Sequence, residues 1–177
     1  MSMKALAILA VLLFLISCVP VQREYYLPIN EEDAHETKSC GSVPGGGYSK
    51  EIAQGARLAV SGTKTDNDLW LYFQFDVADG YSLKFESNKI RVSAGGSTSR
   101  EETINHDSGE EYPSLNPMEP MIGGTQQLYM ANLKVPNFNH NRFTLKMPSA
   151  NLNSQEYMID PIDFYLVSRK GVMTCIQ

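Results

Sequence analysis

No apolar run in this chain reaches the roughly 20 residues that a transmembrane helix needs; the longest, Ala5 to Ile16, has twelve. Basic residues are scarce as well. Fifteen Lys and Arg stand against 20 Asp and Glu, a net charge of −5. That balance argues against a nucleic-acid surface, which needs clustered cations, and against adhesion to anionic lipid by charge alone. There is no Gly-x-Ser-x-Gly nucleophile elbow. Gly95-Gly96-Ser97-Thr98-Ser99 comes at a strand end, with no strand-to-helix turn to present a serine. No Cys-x-x-Cys pair occurs, and the three histidines, His35, His106 and His140, lie in polar, turn-like sequence where a solvated ring is the ordinary reading. No window carries a convincing helical period; Ser49 to Ala56 has room for one turn.

Paired acids occur at Glu101-Glu102 and Glu110-Glu111, with Asp107 between them. Adjacent residues on a strand point to opposite faces, so neither pair supplies the two opposed carboxylates of glycoside hydrolysis. Asp66-Asn67-Asp68 lacks the glycine and the later bidentate glutamate of a calcium loop. These acids read as a solvated edge. The expectation is therefore a protein that is not an enzyme and carries no cofactor.

What the chain does have begins at Lys4, followed by the twelve-residue apolar run and the exit Leu15-Ile16-Ser17-Cys18. A basic start, a short apolar stretch and a small-residue exit make a secretory signal. With cysteine directly after Leu-Ile-Ser, the segment resembles the lipobox of bacterial lipoproteins. The resemblance is confined to the signal. It implies that residues 1–17 are removed and that Cys18 becomes the lipidated first residue. Each buried methylene of an acyl chain contributes about 0.8 kcal/mol, so one chain holds weakly and several, as such lipoproteins carry, hold firmly. Val19 is not the aspartate that retains such proteins at the inner membrane of Gram-negative cells. The implied place is the cell envelope, lipid-anchored: the outer membrane in a Gram-negative cell, the cell membrane otherwise.

Loss of the signal leaves 160 residues, one domain's worth. Lys4 is the one charge lost, so 14 basic and 20 acidic residues remain, net −6. With Cys18 lipidated, Cys40 and Cys175 are left as a pair, and an oxidising compartment favours a disulfide between them. Closing a loop of that length is worth about 5 kcal/mol in the chain-entropy account. Free thiols or an intermolecular bridge are the alternatives.

The expected organisation is a signal peptide over 1–17, a lipidated tether over 18–39 and a single domain over 40–177. The charged, proline-containing and aliphatic-poor stretch after Cys18 cannot supply a packed core. Its 21 residues from 19 to 39 would span roughly 25 Å as a flexible coil. Tyr25, Tyr26 and Leu27 interrupt it, suited to docking as an added strand. Beyond Cys40 the dominant signal is period-two alternation. Leu69 to Val77 puts apolar residues at every odd position; Ser82 to Ser87, Lys89 to Ala94, Arg142 to Met147 and Ile162 to Ser168 repeat the pattern. Arg57 to Ser61, Gln127 to Val135, Tyr157 to Ile159 and Val172 to Ile176 add to the set. Asp79-Gly80 and Ser87-Asn88 read as tight turns joining the early strands into an antiparallel meander, and Lys170-Gly171 as a turn near the end. Trp70 reads as a core residue. Some eight or nine short strands with turn signals between them predict an all-β, two-sheet antiparallel sandwich of immunoglobulin/fibronectin-like architecture.

An irregular loop over 95–124 breaks the pattern. Long loops without regular structure tend to serve function, and Tyr112, Met118 and Met121 are its candidate binding residues, either laid back as a lid or turned outward. The same region resembles, in three residues, the ligand motif of periplasmic copper carriers, which hold Cu(I) with histidine and methionine. His106, Met118 and His140 occupy the matching places. The spacing before Met118 is one residue too long, and Arg142 stands where the final methionine belongs. The main functional expectation is a non-enzymatic, membrane-anchored binding or scaffolding module, whose partner is an envelope protein or polymer and not nucleic acid. A copper carrier is the alternative.

Overall fold

Leu69, Leu71, Phe73, Phe75 and Val77 are all buried, while Tyr72 and Gln74 between them face water. Alternation of this kind builds the whole fold. The computed structural model of the protein describes residues 18–37, 45–87, 89–94, 98–103 and 126–174. Among them are thirteen strands, one short 3-10 turn at Glu31–Asp33 and no α-helix. The all-β antiparallel sandwich expected from the alternation is the architecture found.

The strands are β1 (Cys18–Pro28), β2 (Ala34–Thr37), β3 (Gly45–Ala53), β4 (Ala56–Thr65), β5 (Asp68–Ala78), β6 (Leu83–Phe85) and β7 (Lys89–Ala94). They continue as β8 (Thr98–Thr103), β9 (Gln126–Val135), β10 (Arg142–Lys146), β11 (Ala150–Leu152), β12 (Gln155–Tyr157) and β13 (Ile162–Thr174). Ten form one antiparallel sheet in the order β2-β3-β4-β1-β13-β10-β7-β8, with β5 on the other edge of β4 and β9 beyond it. The large sheet branches at β4. Residues 56–61 of one edge pair with β3, and Gly62 and Thr63 of the same edge pair with Tyr26 and Tyr25 of β1. The sheet folds over, so that both of its halves contribute to one hydrophobic core. Sheet β12-β11-β6 adds Leu83, Ala150 and Leu152 to that core.

The N-terminal stretch differs most from expectation. Cys18–Pro28 is not a tether but a strand within the large sheet, paired with β13 along its full length from Cys18↔Thr174 to Pro28↔Phe164. The docked strand suggested by Tyr25-Tyr26-Leu27 is what forms. Tyr26 turns inward, fully buried, with its ring edge-on to Phe143 at 5.0 Å and to Phe138 at 6.3 Å. Its hydroxyl donates to the His140 carbonyl oxygen at 2.7 Å. Tyr25 and Leu27 turn the other way into a second, smaller cluster with Val167. Gly46 of β3 lies over them, and a Cβ there would come within 2.7 Å of Leu27. A strand buried on both faces shows an unbroken apolar run in place of alternation.

Other expectations change with it. Lys170-Gly171 is no turn: β13 runs straight through, because β1 lies beside it with Gln22 and Val21 opposite these residues. Asp79-Gly80 does turn the chain, with Gly80 at φ +81°. It hands β5 to β6 in the smaller sheet, so the expected meander ends there, and β7 pairs with β8 and β10. Residues 49–53 belong to β3 and form no helical turn. Trp70 lies on the outer face, half-buried under Lys134, whose Nζ is 5.3 Å from the ring.

Lys134 also pairs with Asp68 at 2.8 Å. The Asn137 backbone N–H donates to the same carboxylate at 3.1 Å, fastening the start of β5 to the end of β9. The Lys134 hydrogen bond first, and the backbone donor second, hold the Asp68 carboxyl below its usual value of 3.8. A carboxylate whose folded value is depressed contributes stability above its unfolded value, and that contribution is lost as pH falls through the folded one. Asp68→Asn should therefore be less stable than the parent at pH 7, by a difference that shrinks below pH 3.8. Urea unfolding at neutral and at acid pH measures it. An undiminished difference in acid would contradict this origin.

Candidate functional site

The outer face of β3, β4 and β5 carries an open trough of about 730 Å³. The odd positions of β4 make its floor, Ala59, Ser61 and Thr63, all small. Opposite Ser61 across the ladder stands Tyr72, and opposite Ala59 stands Gln74, which in turn faces Met130 on β9. Tyr72 and Met130 are 45% and 43% exposed. Only four large apolar side chains are exposed among the described residues, so finding two along one groove marks it out. The far wall comes from β1 and the segment after it, with Arg23, Tyr25, Glu32 and His35.

The floor lies low because of what flanks it. Gly47 is opposite Ser61, and a Cβ on Gly47 would run into the Val60 carbonyl oxygen. Gly45 and Gly46 leave further room at the wall. Charge along the lining is balanced: Arg23 and Arg57 against Glu32 and Asp76. Gln74 Nε2 donates to Asp76 Oδ1 at 3.0 Å, which orients both side chains. Behind the wall, the Tyr25 hydroxyl donates to Glu36 Oε1 at 3.1 Å, and Arg169 reaches the same oxygen at 3.4 Å. Burial first, and Glu36 second, raise the Tyr25 phenol above its usual range, so it is a neutral donor at physiological pH. Hydroxyls, an amide, a balanced charge set and one broad ring give a surface with both donors and acceptors on offer.

Of the lipidation, disulfide, loop and metal candidates singled out in the sequence, Cys18 and His140 are the ones among the described residues. Cys40, His106, Tyr112, Met118, Met121 and Cys175 lie outside the described residues, as do the signal 1–17 and most of the 95–124 loop. Cys18 opens β1. His140 is exposed in the link before β10, its ring edge-on to Phe138 at 5.2 Å. Among the described residues no three His, Cys, Asp or Glu side chains gather to hold a metal. The trough was not anticipated. Its signal was present in the even positions of β5, where Tyr72, Gln74 and Asp76 are larger than an ordinary solvated face requires, beside the small Ala59 and Ser61. Compared with family models, curated proteins and solved structures, the chain shows no match.

Proposed function

We propose that the protein is a lipid-anchored β-sandwich of the cell envelope that binds or scaffolds an envelope protein or polymer without chemical change. The trough beside β4 and β5 carries this reading. It offers exposed apolar side chains and oriented polar groups on a rigid sheet, which suits recognition. The lipobox-like segment supplies the anchor. Because β1 starts at Cys18, opposite Thr174, an acylated Cys18 would hold the sandwich by the end of the β1–β13 ribbon, with no spacer between lipid and fold. The bridge between Cys40 and Cys175 is part of the same reading. Glu36 and Arg169 are in contact, and β2 and β13 run in the same sense through the intervening antiparallel pairs. From that contact both strands therefore run on in one direction, β2 to Thr37 and β13 to Thr174.

Intact mass of membrane-extracted protein tests the anchor and the bridge together. The expected species lacks residues 1–17, carries acyl chains on Cys18 and gains two hydrogens on reduction. An unmodified Cys18 sinks the anchor. Binding is tested by placing a photo-crosslinking side chain at Met130 in intact cells. A discrete adduct with an envelope component is expected, and its absence at Met130 and at Gln74 alike would refute the module.

A further inference from the structure

The floor of the trough restricts what can lie in it. β4 is paired with β3 on one edge and β5 on the other, and β5 is paired again with β9. No backbone N–H or C=O is left along Arg57 to Ser61 or Tyr72 to Asp76 for an incoming strand. A polypeptide that binds by adding a strand to a sheet edge finds no edge on this floor. Recognition there must come from side chains. Those along the floor are Ser49, Ser61, Thr63 and Gln74, groups that both donate and accept, as a hydroxylated ligand requires. Two cations and two anions cancel along the lining, which favours an uncharged ligand, since a charged one would leave an uncompensated partner. The half-exposed Tyr72 ring gives one flat apolar surface beside this polar row, matched to a molecule with a C–H face and hydroxyl edges. From Arg57 to Thr63 the floor runs for roughly 20 Å at the usual strand rise, several sugar rings in length.

We infer that the trough on the outer face of β3, β4 and β5 binds a neutral oligosaccharide, a segment of an uncharged glycan chain, with Tyr72 stacking on a sugar face and Gln74, Ser61 and Thr63 bonding its hydroxyls. This rests on the binding-module reading and narrows its ligand. Calorimetric titration of the whole mature protein with cellotetraose, maltotetraose and tetra-N-acetylchitotetraose tests it. At least one binds, with a Kd of about 10 μM to 1 mM. Tyr72→Ala weakens that binding about tenfold or more, the size expected for one lost stacking ring. Tyr72→Phe keeps most of it, and Lys146→Ala, on β10, leaves it unchanged. Melting temperatures of all three variants stay near the parent's, because these side chains are solvent-facing. If none of the three tetrasaccharides binds, or if binding survives Tyr72→Ala, the inference is overturned. If none binds while the Met130 crosslinker still captures an envelope protein or a second copy of this chain, the ligand is a polypeptide: the glycan inference falls and the binding module stands.

Discussion

A chain shortened to begin at Asn30 should fail to fold, whereas loss of residues 1–17 should leave the domain intact. The reason is the depth at which β1 lies. Tyr25, Tyr26 and Leu27 are 1%, 0% and 4% exposed. Each buried side chain of this size contributes about 1.5–3 kcal/mol, so the three together supply roughly 5–9 kcal/mol, comparable to the 5–15 kcal/mol that holds a whole domain together. The loss goes further than area. Removal of β1 strips the ladder from one edge of β13 along Phe164–Thr174, parts β13 from the β4 side of the sheet, and uncovers the Val167 cluster. Circular dichroism through a thermal ramp is the measurement. The shortened chain should show no cooperative transition, and a normal melt from it would mean that β1 is only laid against the surface.

Tyr26→Ala should cost about 3–5 kcal/mol, the range for emptying an aromatic site in a packed core. Here the site belongs to a cluster of four rings centred on Phe143. Tyr26 meets Phe143 and Phe138 edge-on, and Phe143 stacks on Phe164 at 4.8 Å. A hole at Tyr26 therefore loosens both halves of the sandwich. Tyr26→Phe keeps the ring and loses the bond to the His140 carbonyl, an effect of about 1 kcal/mol. The two variants also differ at high pH. Burial, and secondarily the Glu24 carboxylate, push the Tyr26 phenol up to about 12; burial with Asp33 and Asp160 does the same for Tyr48. A phenol raised in the folded state adds stability that is complete below its unfolded value of 10.0 and is lost as pH climbs through about 12. Stability of the parent should therefore fall across that interval, and Tyr26→Phe should fall less steeply. Urea midpoints from pH 9 to pH 12 would show it; parallel curves for parent and variant would exclude Tyr26 as a source.

The β5 and β7 strands were legible because one face of each is wet, so period-two alternation survives in Leu69 to Val77 and Lys89 to Ala94. β1 hid behind its composition. Arg23, Glu24, Pro20 and Pro28 resemble linker residues, and the prolines lie at or near strand ends where a missing N–H is tolerated. Its apolar centre is buried on both faces, which erases the alternation that would have announced it. Lys170-Gly171 looked like a turn for a related reason: local residue preference favours one there, and only pairing with a strand nearly 150 residues away overrides it. Trp70 shows the opposite failure. Its size suggested the core, yet it sits at an even position of β5, and its parity with Tyr72 and Gln74 was the better guide. The trough depends on which strands become neighbours, and so on a branch at β4 that no local pattern encodes.

That long-range pairing also dictates when the molecule can come into being. Gln22 and Ser168 meet across 146 positions, and the buried ring of Tyr26 needs both Phe143 and the strand that carries Phe164. A growing polypeptide cannot complete its interior until nearly all of it has been made, and architectures so dominated by distant contacts assemble slowly. The export that the proposed lipid anchor requires would be served by this delay: a pliable thread would cross the membrane, and the finished body would arise on the far side.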